Sequence, residues 1–207
     1  MEHRTIAQLW LILRPALLLS AVFFTLFYLQ YQPELHNLLR FERATFSSNL
    51  QQSISHAFIH LNLRHLQLNT AALLCLFILF NRAFQTLSWL LVLLISAVSS
   101  AAGMYFFSPN IDWVVGLSGA LHGLAVYAIL RSKAQPVWLL LIAGKIIAEQ
   151  LHWFADLPFA SLTSEWIAHD IVVDAHLWGA IGGLAYYLGT RSVLAIGALI
   201  EINRDAS

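Results

Sequence analysis

Apolar residues in this chain come in long runs broken by short polar stretches. A helix needs about 20 mostly apolar residues to cross the hydrocarbon core of a bilayer. Six runs approach that length, over about 10–31, 61–80, 84–107, 113–130, 137–154 and 173–189. The pattern predicts an all-α, polytopic membrane protein of six transmembrane helices. No repeat, low-complexity tract or Gly/Ser linker divides it, so residues 1–207 read as a single membrane domain. The first run is too long for a signal peptide, is interrupted by Arg14, and precedes no small-residue cleavage site, so it reads as a retained span. The tail from Ser192 to Ile202 is apolar enough for an interfacial helix or an extension of the sixth span.

Composition agrees with that reading. Hydrophobic residues make up 59% of the 207 residues and charged residues 11%, against about 45–50% and about 25% in soluble domains. Lys+Arg and Asp+Glu number 11 each. The zero net charge excludes a nucleic-acid partner held by a basic excess, and the hydrophobicity excludes a disordered chain. With Cys75 as its one cysteine, the chain has no disulfide framework or Cys-based metal cluster.

Lys and Arg placement predicts orientation. With the N-terminus inside, the inner segments hold Arg4, Arg14, Arg82, Arg131, Lys133, Arg191 and Arg204, and the outer segments hold Arg40, Arg43 and Arg64. The segment between spans five and six carries Asp156, Glu165, Asp170 and Asp174 and no basic residue. The expectation is an N-in, C-in protein, whose outer face in a bacterial inner membrane is periplasmic.

Ionisable and polar groups inside spans are costly and mark function by default. Here they cluster. Span two is introduced by His56, His60, His65 and Asn69, span four by Gly116-Leu117-Ser118-Gly119 with His122, and span six by Ala175-His176. These three spans share one direction, so the three groups fall in one layer below the outer surface. At about 1.5 Å per residue, Ser118 and His176 lie roughly 5–8 Å down. Gly119/Gly123 and Gly179/Gly183 form G-x-x-x-G faces on spans four and six, the spacing that lets two helix backbones approach closely. Such packing is expected to bring the Ser118 hydroxyl to the His176 imidazole.

A serine beside a neutral histidine is the arrangement nucleophilic catalysis needs, because the ring takes the hydroxyl proton during attack and returns it to the leaving amine. The oxyanion then needs donors. Backbone N–H groups near Ser118, the Asn69 amide and the His65 ring are the candidates. No cofactor is required.

At these residues the chain resembles the rhomboid family of intramembrane serine proteases. Its G-x-S-G matches Gly116 to Gly119, its A-H-x-x-G-x-x-x-G matches Ala175 to Gly183, and its H-x-x-x-x-H-x-x-x-N matches His60, His65 and Asn69. The resemblance implies a six-helix rhomboid-like bundle and a Ser118/His176 dyad. It implies an oxyanion hole from Ser118 N–H, His65 and Asn69, and a wet cavity open to the outer face. His60 is then a structural support or part of a water-retention site. Two departures stand out. His122 occupies a position that is often a tyrosine stacked on the histidine, and the segment from Gln32 to Ser55 is short and lacks the family's Trp-Arg pair. Those departures, the compact length and the run G-x-S-G-x-L-H-G resemble the rhombosortase subgroup. That implies protein substrates with a C-terminal tail made of a Gly-rich motif, a hydrophobic span and a basic end.

Other residues have plainer readings. His56/His60 have metal-ligand spacing but no third or fourth ligand in view, and read as water-facing or capping groups with no metal. Lys145 and Glu149, four apart on span five, share a face. They are either a self-neutralising pair or a substrate-binding pair beside the lateral gate for a single-span or tailed substrate. Trp113, Trp138, Trp153, Trp166 and Trp178 read as interfacial anchors, and Cys75 as inert packing. A non-catalytic rhomboid-like binding protein is the competing function, but such relatives lose the serine or histidine. A transporter predicts internal two-fold symmetry, which is not seen.

Overall fold

A computed structural model describes residues 2–132, 135–153, 165, 167 and 171–205. The described residues are mostly helical. In order come α1 (Glu2–Gln30), α2 (Pro33–Leu39), a strand β1 (Phe41–Glu42), α3 (Gln52–Ser55), a 3₁₀ turn (His56–Phe58) and α4 (Leu63–Leu79). A second 3₁₀ turn (Asn81–Phe84), α5 (Ser88–Phe107), strand β2 (Trp113–Val114), α6 (Ser118–Leu130), α7 (Gln135–Gln150) and α8 (Val173–Asp205) follow.

Helices α5, α6 and α8 form the heart of the molecule. Helix α6 is the most enclosed, with Leu124, Tyr127 and Ala128 buried, and α4 and α7 pack against its flanks. Small residues make this possible. A Cβ built on Gly179 or Gly183 of α8 would enter the backbone of α6 at Gly119 or Gly123, and one built on Gly123 would strike Ser96 of α5 and the Gly179 carbonyl. The α5 hydroxyls complete the contact: Ser99 Oγ donates to Trp178 O at 2.7 Å, and Ser100 Oγ to Ala175 O at 3.2 Å. The outward surface is apolar, with Phe24, Ile78, Phe106, Phe107, Leu140 and Val193 all exposed. Apolar exposure on this scale suits lipid and not water.

Several boundaries differ from those expected. Among the described residues, two helical stretches, Leu13–Gln30 and Ser88–Phe107, are long and apolar enough to cross a membrane, while Leu63–Leu79 and Ser118–Leu130 are shorter apolar helices. The run 113–130 is not one helix. Trp113 and Val114 pair antiparallel with Glu42 and Phe41, because an apolar run does not by itself distinguish strand from helix. The helix starts at Ser118 itself. Span six has no break at Gly189, and the apolar tail continues it to Asp205. Phe154, Lys133, Asp156, Trp166 and Asp170 lie outside the described residues.

The segment from Gln32 to Ser55 is ordered by Arg43. Its guanidinium donates to the carbonyls of Ile111 and Tyr105 at 2.8 Å and of Met104 and Ser108 at 2.6 Å. Two of these carbonyls, Met104 and Tyr105, lie in the last turn of α5, where Met104 O also accepts from Ser108 N–H at 3.2 Å. Cys75 is exposed, not packed inside, since its face of α4 is turned outward. Trp178 is also no simple interfacial anchor. It stacks on Phe107 (4.9 Å between centroids) and covers Gly103, where a Cβ would collide with it.

Candidate active site

The loop before α6 is built around Gly116. Its φ of 115° lies in the region that favours glycine, and a Cβ there would run into the His65 ring. Its N–H donates to His56 O at 2.9 Å, tying the loop to the segment before α4. The chain then turns into α6 with Ser118 as the first helical residue. Backbone N–H groups in a first turn lack intrahelical acceptors, so the serine sits among free donors.

A cavity of about 280 Å³ opens at this point, and its lining includes His65, Asn69, Ser118, His122, Lys145 and His176. The structure thus brings together residues from α4, α6, α7 and α8. Asn69 and His176 are buried, at 4% and 5% exposure. Asn69 Nδ2 donates to His65 O at 3.1 Å, which uses one of its two amide hydrogens. Asn62 caps α4, its Oδ1 accepting from His65 N–H at 3.0 Å, and so fixes the height of His65.

His176 is held by two neighbours. The ring of His122 stacks on it. On another side its Nδ1 lies 3.1 Å from Glu149 Oε2. Glu149 Oε1 in turn accepts from Lys145 Nζ at 2.6 Å. Lys145 Nζ also lies 2.8 Å from His122 Nε2, and His122 Nδ1 lies 2.7 Å from Ser118 O. Lys145 and Glu149 are thus an ion pair on α7, as their spacing indicated, but one that reaches across to α6 and α8. That extension has no signature in the sequence of α7 alone.

His122, Glu149 and His176 offer ligand atoms that all lie within 4.8 Å of one another. The Lys145 ammonium is hydrogen-bonded to two of the three, so a cationic group already stands where these atoms converge.

His56 and His60 are neither water-facing nor simple caps. They are 3% and 0% exposed. His56 Nδ1 contacts Gln52 O at 2.8 Å, and His60 meets His65 edge to face with centroids 5.1 Å apart. Both lie outside the long apolar runs. Burial pushes His56 down to about 4, against a smaller upward effect of the Gln52 carbonyl. Burial also pushes His60 down to about 3, aided by the charges of His65 and His36.

The Rhomboid domain family matches residues 47–192, most of the chain. The chain therefore belongs to the rhomboid family, and is an integral membrane protein of a family whose members are generally intramembrane serine proteases. Comparison with curated proteins finds no match.

Proposed function

We propose that this protein is an intramembrane serine protease with Ser118 as nucleophile and His176 as general base. The observation that carries the reading is the shared cavity, in which Ser118 of α6, His176 of α8 and the donors His65 and Asn69 of α4 all take part. As Ser118 Oγ attacks the scissile carbonyl, its O–H bond breaks and His176 gains the proton. The C–N bond then breaks, and His176 returns the proton to the departing amine. The first-turn N–H of Ser118, with Asn69 and His65, holds the oxyanion. One such donor is worth about 10²–10³ in rate. Water then hydrolyses the acyl-enzyme, or another amine intercepts it.

The same reading extends to topology and substrate. Six spans with both termini inside put the cavity at the outer face, which is periplasmic in a bacterial inner membrane. The run from Gly116 to Gly123, with His122 in place of tyrosine, supports a rhombosortase-like role. The substrates are then membrane-tethered proteins with a Gly-rich motif, a hydrophobic span and a basic end, cleaved to release them for export. Lys145, with its side chain 43% exposed beside the cavity, is the member of the α7 pair available to the incoming chain. Both Glu149 oxygens are engaged within the protein.

Labelling with a serine-reactive fluorophosphonate tests the assignment. Wild type is expected to label, and Ser118→Ala and His176→Ala are expected not to. Labelling that survives Ser118→Ala removes the reading.

A further inference from the structure

We propose that Glu149 is a positioning residue for His176, locked in place by Lys145, so that the reacting pair is extended to a line of Ser118, His176 and Glu149. The proposal rests on the reading of Ser118 and His176 just given.

The argument is one of counting hydrogens. The Ser118 carbonyl can only accept, so His122 Nδ1, 2.7 Å away, carries a hydrogen. An ammonium can only donate, so His122 Nε2, 2.8 Å from Lys145 Nζ, is the bare nitrogen. Both contacts are met by one neutral tautomer. The same ammonium donates to Glu149 Oε1, which keeps the carboxylate ionised and fixes its rotation. Glu149 Oε2 then accepts from His176 Nδ1–H. That leaves His176 Nε2 as the nitrogen with a free lone pair, and a general base needs one.

During attack the Ser118 Oγ–H bond breaks and the Nε2–H bond forms. The ring becomes an imidazolium with both nitrogens protonated. Glu149 stays ionised and opposes that charge, and no proton passes to it. The proton leaves Nε2 again for the departing amine. Lys145 and Glu149 together are neutral, which limits the cost of placing a carboxylate at this depth. His122, stacked on His176, fixes the plane of the ring while the carboxylate fixes its rotation.

The substitution Glu149→Gln separates this role from a merely structural one. Lys145 still needs an acceptor, so the amide oxygen turns to the ammonium and the NH₂ faces His176 Nδ1. A donor there forces the hydrogen onto Nε2, which can then no longer accept from Ser118.

The test uses the full-length protein in detergent micelles and the fluorophosphonate probe, with inactivation rate and probe affinity measured separately. Glu149→Gln is expected to slow inactivation by roughly 10²–10⁴-fold with probe affinity little changed. Glu149→Asp, which keeps the charge, is expected to recover part of the rate. Nitrogen-15 histidine spectra, with His176 assigned by its loss in His176→Gln, are expected to show the Nδ1–H tautomer in wild type and the Nε2–H tautomer in Glu149→Gln. The wild-type spectrum serves even if a variant fails to fold.

Three results overturn the proposal while leaving the Ser118 assignment intact: Glu149→Gln inactivated at the wild-type rate, an Nε2–H tautomer in wild type, or an equal rate loss in both variants with no change of tautomer. Labelling that persists in Ser118→Ala fails the underlying reading, and the proposal falls with it.

Discussion

The imidazoles of His122 and His176 lie face to face, 4.0 Å between centroids and 16° from parallel. One ring comes from α6, four residues after Ser118, and the other from α8. The contact therefore registers the two helices at the level of the cavity. An aromatic pair of this kind is worth about 0.5–1.5 kcal/mol beyond its buried area.

That figure sets the expected effect of removing it. His122→Ala is expected to slow fluorophosphonate inactivation by about two- to tenfold, from the same range converted at 1.36 kcal/mol per decade. His122→Tyr keeps a ring to stack and is expected to lie closer to wild type. Equal losses in both variants would show that the hydrogen bonds of His122 matter and its stacking does not.

The glycine contacts make a stability prediction. Gly179→Ala and Gly183→Ala put a methyl group into the backbone of α6, which cannot yield as a side chain would. Overpacking typically costs about 1–3 kcal/mol, so both variants should melt at lower temperature in detergent. Gly144→Ala and Gly189→Ala meet open space and should not. A melting point for Gly183→Ala equal to that of Gly144→Ala would contradict the close α6–α8 approach.

Acid should weaken the fold around the 3₁₀ turn His56–Phe58. His56, buried, is held down to about 4 from an ordinary 6.5. Between those two values the unfolded chain binds the proton and the folded one does not. Stability is therefore complete above about 6.5 and falls as the pH drops toward 4, by about 3 kcal/mol for this one group. His60, held near 3, extends the decline further. Melting temperature followed from pH 7 to 4 should fall in wild type and fall less steeply in His56→Leu. Parallel curves for the two proteins would count against this account.

Lys145 makes a prediction about metal. His122, Glu149 and His176 present ligand atoms within 4.8 Å of one another, and the ammonium stands among them. Lys145→Ala removes the resident cation and leaves two imidazoles and a carboxylate, a donor set that suits zinc. Zinc that leaves the wild type reactive is expected to block fluorophosphonate labelling of Lys145→Ala, and a chelator to restore it. Indifference of the variant to zinc would show that the three groups cannot converge on one ion.

The sequence made some of this legible, and the reasons differ by residue. Spacing revealed the glycine faces, because G-x-x-x-G has one geometric consequence on a helix. It also singled out Asn69, Ser118 and His176, three residues that line one cavity. It did not reveal that Trp113 and Val114 form a strand, since their partners Phe41 and Glu42 lie far away in the chain and hydropathy is blind to pairing. In the sequence Arg43 reads only as an outer charge. Its four carbonyl acceptors come from the end of α5 and the loop beyond, a relation that no local pattern encodes. Lys145 and Glu149 were visible as a pair but not as a bridge to His122 and His176, because the direction of a side chain depends on how α7 is rotated against its neighbours.

The start of α6 at Ser118 has a consequence for how solvent arrives. Thirteen residues make a rod of about 20 Å, whereas the hydrocarbon slab is about 30 Å thick. With its Leu130 end level with the headgroups of one leaflet, the rod would stop some 10 Å short of those of the other. The missing turns are replaced by a strand and a glycine bend. If Ser118 is the nucleophile, as proposed, water needs no drilled channel to reach it, because it stands on top of a post that was never built to full height.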